Sequence, residues 1–145
     1  MGAPEDVEEG LQEENQNQQK LISALAYAIK DDNLWIRITL RRKIDKNLGI
    51  SIFLLGYNKN LNFARMPKFR LYINALGLHV IEKKQAVRIK GIKRKFEGRA
   101  LIIKIPLISL GDPDYILSYT RARTVGLLLN ETAWRIIELE QPKIR

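Results

Sequence analysis

From Leu21 onward the apolar side chains return at every second residue, a period that fits extended chain and not helix. Leu34, Ile36, Ile38 and Leu40 fall on one side of a segment whose other side carries Trp35, Arg37, Thr39 and Arg41. Successive side chains of a strand point to opposite faces, so this segment predicts one face in a core and one in water. Leu21, Ser23, Leu25, Tyr27 and Ile29 set the same alternation before it. Asp31, Asp32 and Asn33 provide the intervening turn, because short polar side chains bend the backbone there. A second turn falls near Asp45, Lys46, Asn47 and Gly49. Residues 50–57 are apolar on both faces and predict a central strand, followed by a loop from Asn58 to Pro67. Further strands are predicted over 68–74, 78–83, 86–96, 99–105, 115–123 and 133–139. Glu97 and Gly98 read as a hairpin turn, and Pro106 to Leu110 as one short helical turn closed by Gly111. Turn residues at about the 8–12-residue spacing of sandwiches and barrels, roughly nine strands and no long amphipathic helix predict an all-β chain, a jelly-roll-like antiparallel β-sandwich.

Charge divides the chain. Residues 1–20 carry six carboxylates and one lysine, a net −5, which leaves +14 for the rest of a chain whose total is +9. They also run through Asn15, Gln16, Asn17, Gln18 and Gln19 with almost nothing to bury, and predict a disordered acidic tail or linker. Residues 21–145 are then a single sandwich domain. The tail has no apolar stretch of the kind a signal peptide needs. If the chain is a piece of a longer protein, that protein is expected to be secreted or displayed at a cell surface. No apolar run approaches the roughly 18 residues of a helical membrane span.

Several chemistries are closed to this composition. There is no cysteine, so disulfides, thiolate metal sites and cysteine nucleophiles are out. His79 is the sole histidine, which rules out His-rich metal sites and any site needing two imidazoles. No Gly-rich phosphate loop and no Gly-x-Ser-x-Gly elbow occurs. Carboxylate pairs for glycoside hydrolysis would have to come from Asp31, Asp32, Glu82, Glu97, Asp112, Asp114 or Glu131, and all but Glu82 fall in apparent turns. The expectation is a protein that is not an enzyme, with no catalytic residues.

The order of the motifs resembles a known family. Asp31-Asp32-Asn33-Leu34-Trp35-Ile36-Arg37-Ile38 is similar to an early strand of DOMON-like domains and family-nine carbohydrate-binding modules. Phe69-Arg70-Leu71-Tyr72-Ile73 stands where such domains have a second central strand. The most specific passage runs from Gly98 to Gly111, in which a strand leads through Ile105-Pro106 into a turn ending Leu110-Gly111. Asn130-Glu131-Thr132-Ala133-Trp134 resembles the family's closing strand. The resemblance covers most of residues 21–140. It departs where Leu101 or Ile102 stands in place of a carboxylate, where Asn130 replaces a closing acidic residue, and where the polar tail replaces an early segment that often carries calcium-binding aspartates.

The resemblance implies a binder of sugars or of haem. A sugar site needs flat aromatic faces beside polar groups. Trp35 and Arg37, Arg70 and Tyr72, and Tyr119 and Arg121 are each two residues apart and so share a strand face. If their strands lie in one sheet, the six form one ligand-binding surface. Trp35 reads equally as a filler under a loop, and Trp134 reads as core. Haem would take Met66 and His79 as axial ligands, and calcium the carboxylates of Asp31, Asp32, Asp112 and Asp114. For those aspartates turn capping is the simpler role, and no metal or other cofactor is expected.

The other distinctive feature is a basic run: Lys83, Lys84, Arg88, Lys90, Lys93, Arg94, Lys95, Arg99 and Lys104. On a hairpin these charges would gather into one patch for nucleic acid or another acidic polymer. They serve equally as a solvated edge that resists aggregation, and a Lys-, Arg- and Ile-rich composition fits a thermophile's bias. Asn130-Glu131-Thr132 is a glycosylation sequon if the protein is exported. Three functions follow as expectations: a non-catalytic carbohydrate-binding module, an electrostatic binder of nucleic acid or acidic polymer through residues 83–104, or a structural domain that pairs with a partner or a second copy through a sheet edge.

Overall fold

The computed structural model describes residues 21–124 and 127–139. The predicted acidic tail, 1–20, lies outside them. The described chain is an antiparallel β-sandwich of eleven strands: β1 (Ile22–Lys30), β2 (Asn33–Leu40), β3 (Gly49–Tyr57), β4 (Lys68–Asn74), β5 (Gly77–Glu82), β6 (Gln85–Val87), β7 (Lys93–Glu97), β8 (Ala100–Pro106), β9 (Tyr115–Thr124), β10 (Leu127–Glu131) and β11 (Arg135–Glu138). Short 3-10 turns occupy Phe63–Arg65 and Leu107–Leu110. The second is the predicted helical turn, closed by Gly111 at φ 75°. Among the described residues no helix is long and apolar enough to cross a membrane.

One sheet has four strands in the order β1-β2-β8-β7. The other has seven in the order β10-β9-β3-β4-β5-β6, with β11 continuing the β10 edge along the first half of β9. The chain crosses between the sheets after β2, after β6 and after β8. The period-two apolar positions fill the space between. Leu34, Ile36, Ile38, Leu101, Ile103 and Ile105 of the smaller sheet are fully buried, as are Ile50, Ile52, Leu71 and Ile73 of the larger. Each such side chain contributes about 1.5–3 kcal/mol by leaving water, which makes alternation the dominant instruction in this sequence.

Two segments depart from the expectation of roughly nine strands. Residues 86–96 do not form one strand. The chain pairs as β6, leaves the larger sheet, and re-enters the smaller one as β7. Gly91, at φ 92°, sits in that crossing, in a conformation that only glycine adopts readily. Strand β10 lacks the alternating pattern and was not predicted; it pairs with the end of β9, with a register shift between Leu128 and Asn130.

Three polar side chains are buried in the last strands. Asn130 is one, and its Oδ1 accepts the backbone N–H groups of Leu21 and Ile22 at 3.0 and 3.2 Å. That contact ties the start of β1 to β10. The sequon asparagine is therefore shut away from glycosylation, with its side chain committed to the backbone. Ser118 and Thr120 face the core from β9, and neither hydroxyl has a hydrogen-bond partner among the described residues.

Candidate ligand-binding face

The outward side chains of the larger sheet fall into rows across the strands, because residues paired in register point to the same side. One row runs Arg121, Ser51, Tyr72, His79. The next runs Tyr119, Phe53, Arg70, Ile81. The third runs Ile136, Leu117, Leu55, Lys68. Tyr57 and Tyr115 close the series, stacked at 4.4 Å between centroids. Four of the six predicted ligand residues, Arg70, Tyr72, Tyr119 and Arg121, are brought together here.

Aromatic rings form the middle of this face. Phe53 and Tyr119 pack at 5.5 Å, and Trp134 stacks on Tyr119 at 5.1 Å with 21° between planes. The Tyr119 hydroxyl donates to the Glu131 carboxylate, which holds that ring in place. Two guanidiniums cover Phe53, Arg121 at 5.1 Å and Arg70 at 5.8 Å from the ring centre. Arg70 also donates to the Ser51 hydroxyl at 3.4 Å. The Nε of Arg121 is shielded from solvent and has no hydrogen-bond partner among the described residues. Tyr72 lies over Gly49, where a Cβ would strike its hydroxyl and ring, so the glycine makes room for the tyrosine.

Beside the rings is a groove of about 400 Å³. Phe53, Phe63, Phe69 and Trp134 supply its aromatic surface. Its charged lining is Lys68, Arg70, Lys83 and Lys84, with no acidic residue. Lys68 is held in place: its ammonium donates to the carbonyls of Phe63 and Met66 at 2.6 and 3.1 Å and sits 4.4 Å over the Phe63 ring. Trp134 is 56% exposed, which overturns its reading as core. Phe63, 63% exposed, and Phe53 were not singled out in the sequence; Phe53 lay inside a strand apolar on both faces, where alternation does not say which side is wet.

Trp35 and Arg37 do not join this surface. Strand β2 belongs to the smaller sheet, so both lie on the opposite side of the sandwich. There the Lys104 ammonium stands 5.9 Å from the Trp35 ring, and Glu97 meets Arg37 at 3.8 Å and Lys95 at 3.0 Å.

The basic run is likewise divided. Lys83 and Lys84 form the β5–β6 turn beside the groove. Arg88 and Lys90 lie in the crossing between sheets. Lys93 and Lys95 are exposed on β7, where Lys93 pairs in register with Lys104. Arg94, opposite buried Ile103, turns to the core side of that edge and stands 5.3 Å from the Phe96 ring. Arg99 donates to the carbonyl of Arg41 at 2.8 Å. A single patch over 83–104 is thus replaced by separate groups on three parts of the surface.

The residues considered for haem and calcium have structural surroundings. His79 is exposed beside Tyr72, Met66 is buried at the end of the first 3-10 turn, and neither lines the groove. Asp31 and Asp32, at φ 55° and 64°, make the two-residue β1–β2 turn. Asp112 follows Gly111 at φ 48°, and Asp114 accepts the Lys59 N–H at 2.8 Å. Among the described residues no three carboxylate or imidazole groups converge as a metal site requires.

No protein-family model matches this chain, and no curated protein matches its sequence.

Proposed function

We propose that this protein is a non-catalytic carbohydrate-binding module, related to the DOMON-like and family-nine modules it resembles in sequence, and that its ligand lies on the outer face of the larger sheet. The observation that carries this reading is the exposed Trp134 ring stacked on Tyr119 beside Phe53, flanked by Arg70 and Arg121. A sugar ring packs its C–H face on such an indole, and the guanidiniums and Tyr72 hydroxyl stand at hand for its oxygens. Apolar surface with a few convergent polar groups is the usual make-up of a small-ligand site. The divided basic run weakens the rival reading of a polymer track along residues 83–104.

The test is a glycan array probed at low and high salt, with single-stranded and duplex DNA spotted alongside. Glycan binding that Trp134→Ala weakens strongly and Trp35→Ala spares is the expected result. Binding to DNA alone, or silence on every glycan, sinks the reading.

A further inference from the structure

The groove beside the aromatic cluster has a composition that a neutral sugar does not call for. Four cations line it and no carboxylate does. On the opposite face Glu97 answers Arg37 and Lys95, but among the described residues no carboxylate stands within ion-pair reach of Lys68, Arg70, Lys83 or Lys84. Like charges gathered without a counter-charge repel one another, and an anion relieves that repulsion.

The backbone supplies a second, independent observation. Lys83 and Lys84 have φ of 54° and 67°, and Glu82 pairs with Gln85 around them. They therefore fill both central positions of a two-residue hairpin turn with positive φ throughout. Asn-Gly is the favoured pair for such a turn, because glycine has no Cβ to clash and the short polar side chain of asparagine tolerates positive φ, whereas a long side chain is strained there. Lysine has no local reason to occupy either position. Strained backbone of this kind persists at functional sites, where the side chain is worth more than the lost stability. Both lysines line the groove.

We infer that the groove is a subsite for an anionic sugar residue, bearing a carboxylate or a sulfate ester; this rests on the carbohydrate reading above. Trp134 and Phe63 offer the ring a surface, Arg70 offers a planar fork suited to two oxygens, and Lys68, Lys83 and Lys84 act as point charges around it. A volume of about 400 Å³ stands near the small end of ligand pockets, which run from about 300 to 1,000 Å³. It suits a short piece of chain held at one place. A nucleic-acid track needs a succession of free rings, and here Phe53 is already covered by two guanidiniums and one face of Trp134 by Tyr119.

The experiment is calorimetric titration of the full chain with two matched pairs: oligogalacturonate against its methyl ester, and a sulfated galactan oligosaccharide against its desulfated form. Oligothymidylate is titrated alongside. Lys83→Gln/Lys84→Gln is compared with Lys93→Gln/Lys95→Gln, which removes the same charge from the opposite face. Lys83→Asn/Lys84→Gly serves as a folding control, because it installs the favoured turn and raises Tm.

The wild type is expected to bind one charged member at least about tenfold more tightly than its neutral counterpart, the scale of a charge-assisted hydrogen bond. Which pair shows the margin names the anion. Both groove variants lose the margin, and Lys93→Gln/Lys95→Gln keeps it. Equal affinity within both pairs leaves the carbohydrate reading standing and overturns the anionic subsite. Equal losses in the two Gln variants assign the margin to overall charge and also overturn it. Binding of oligothymidylate with no binding of any sugar overturns both readings.

Discussion

The two outer faces of the sandwich share a motif and end in different states. The smaller sheet carries one aromatic–arginine pair two residues apart, Trp35 and Arg37 on β2, and the larger carries two, Arg70 with Tyr72 on β4 and Tyr119 with Arg121 on β9. On the four-stranded sheet Arg37 and Lys95 share Glu97, Lys104 stands over Trp35, and β1 turns Ala24, Ala26 and Ala28 outward. On the seven-stranded sheet the arginines lie over Phe53, Trp134 is open to solvent, and the groove cations are unanswered. Charges that already have partners gain little from an added counter-charge, and charges without them gain more. The distinction lies in the partners of the side chains as well as in their identities.

The largest effect is expected where the two sheets are tied together. Asn130→Ala leaves the N–H groups of Leu21 and Ile22 without their acceptor and should lower stability by about 3 kcal/mol, read by urea denaturation. One transition shifted as a whole means that the faces belong to one cooperative unit; an early separate loss of β1 means that they do not. Next comes the asymmetry itself. Trp134→Ala should weaken sugar binding about 30-fold, or about 2 kcal/mol, as for a central aromatic anchor, while Trp35→Ala stays within about twofold. Equal losses would erase the comparison. Replacing an unpartnered buried hydroxyl, by Ser118→Ala or Thr120→Val, should raise stability by about 1 kcal/mol without moving either face. The smallest change is Glu97→Gln, which strips Arg37 and Lys95 of their carboxylate and should alter stability by no more than about 0.5 kcal/mol, since the group is half exposed. If this substitution let a Trp134→Ala chain bind sugar again, charge matching alone would separate the faces, and the groove geometry would be irrelevant.

Much of this was legible in the sequence, for identifiable reasons. Alternation at 34–40 and 68–74 names the buried side of each strand because burial acts on every second residue. Residues 115–123 were legible as a strand only, since the buried side includes Ser118 and Thr120 and the outer side Tyr115, Leu117 and Tyr119. The Pro106–Gly111 turn was legible because proline and glycine restrict the backbone in known ways. Alternation also told that Arg70 and Tyr72 share a face, but a period of two carries no information about which sheet a strand enters. Trp35 and Arg37 were therefore grouped with residues on the far side of the molecule. The strands predicted over 78–83 and 86–96 leave a break near Lys84, but lysine is not a turn residue, so the positive φ at Lys83 and Lys84 was not legible, and that misfit is what marks the turn in the structure. Trp134 was read as core because a tryptophan beside a closing strand fits an interior as well as a binding face.

The bond from Asn130 back to Leu21 and Ile22 spans 109 and 108 residues, nearly the whole described chain. During synthesis β1 emerges first and its closing partner among the last. Pairings so distant in sequence form slowly, because the intervening chain must be ordered before the contact rewards it. Ile22–Lys30, a nine-residue strand with one charge at its end, remains an edge strand in the finished sheet, so Asn130 secures only its first residues. A chain cut short before β10 should therefore keep the β1–β2 pairing but free the N–H groups of Leu21 and Ile22, read as faster amide exchange at those two residues.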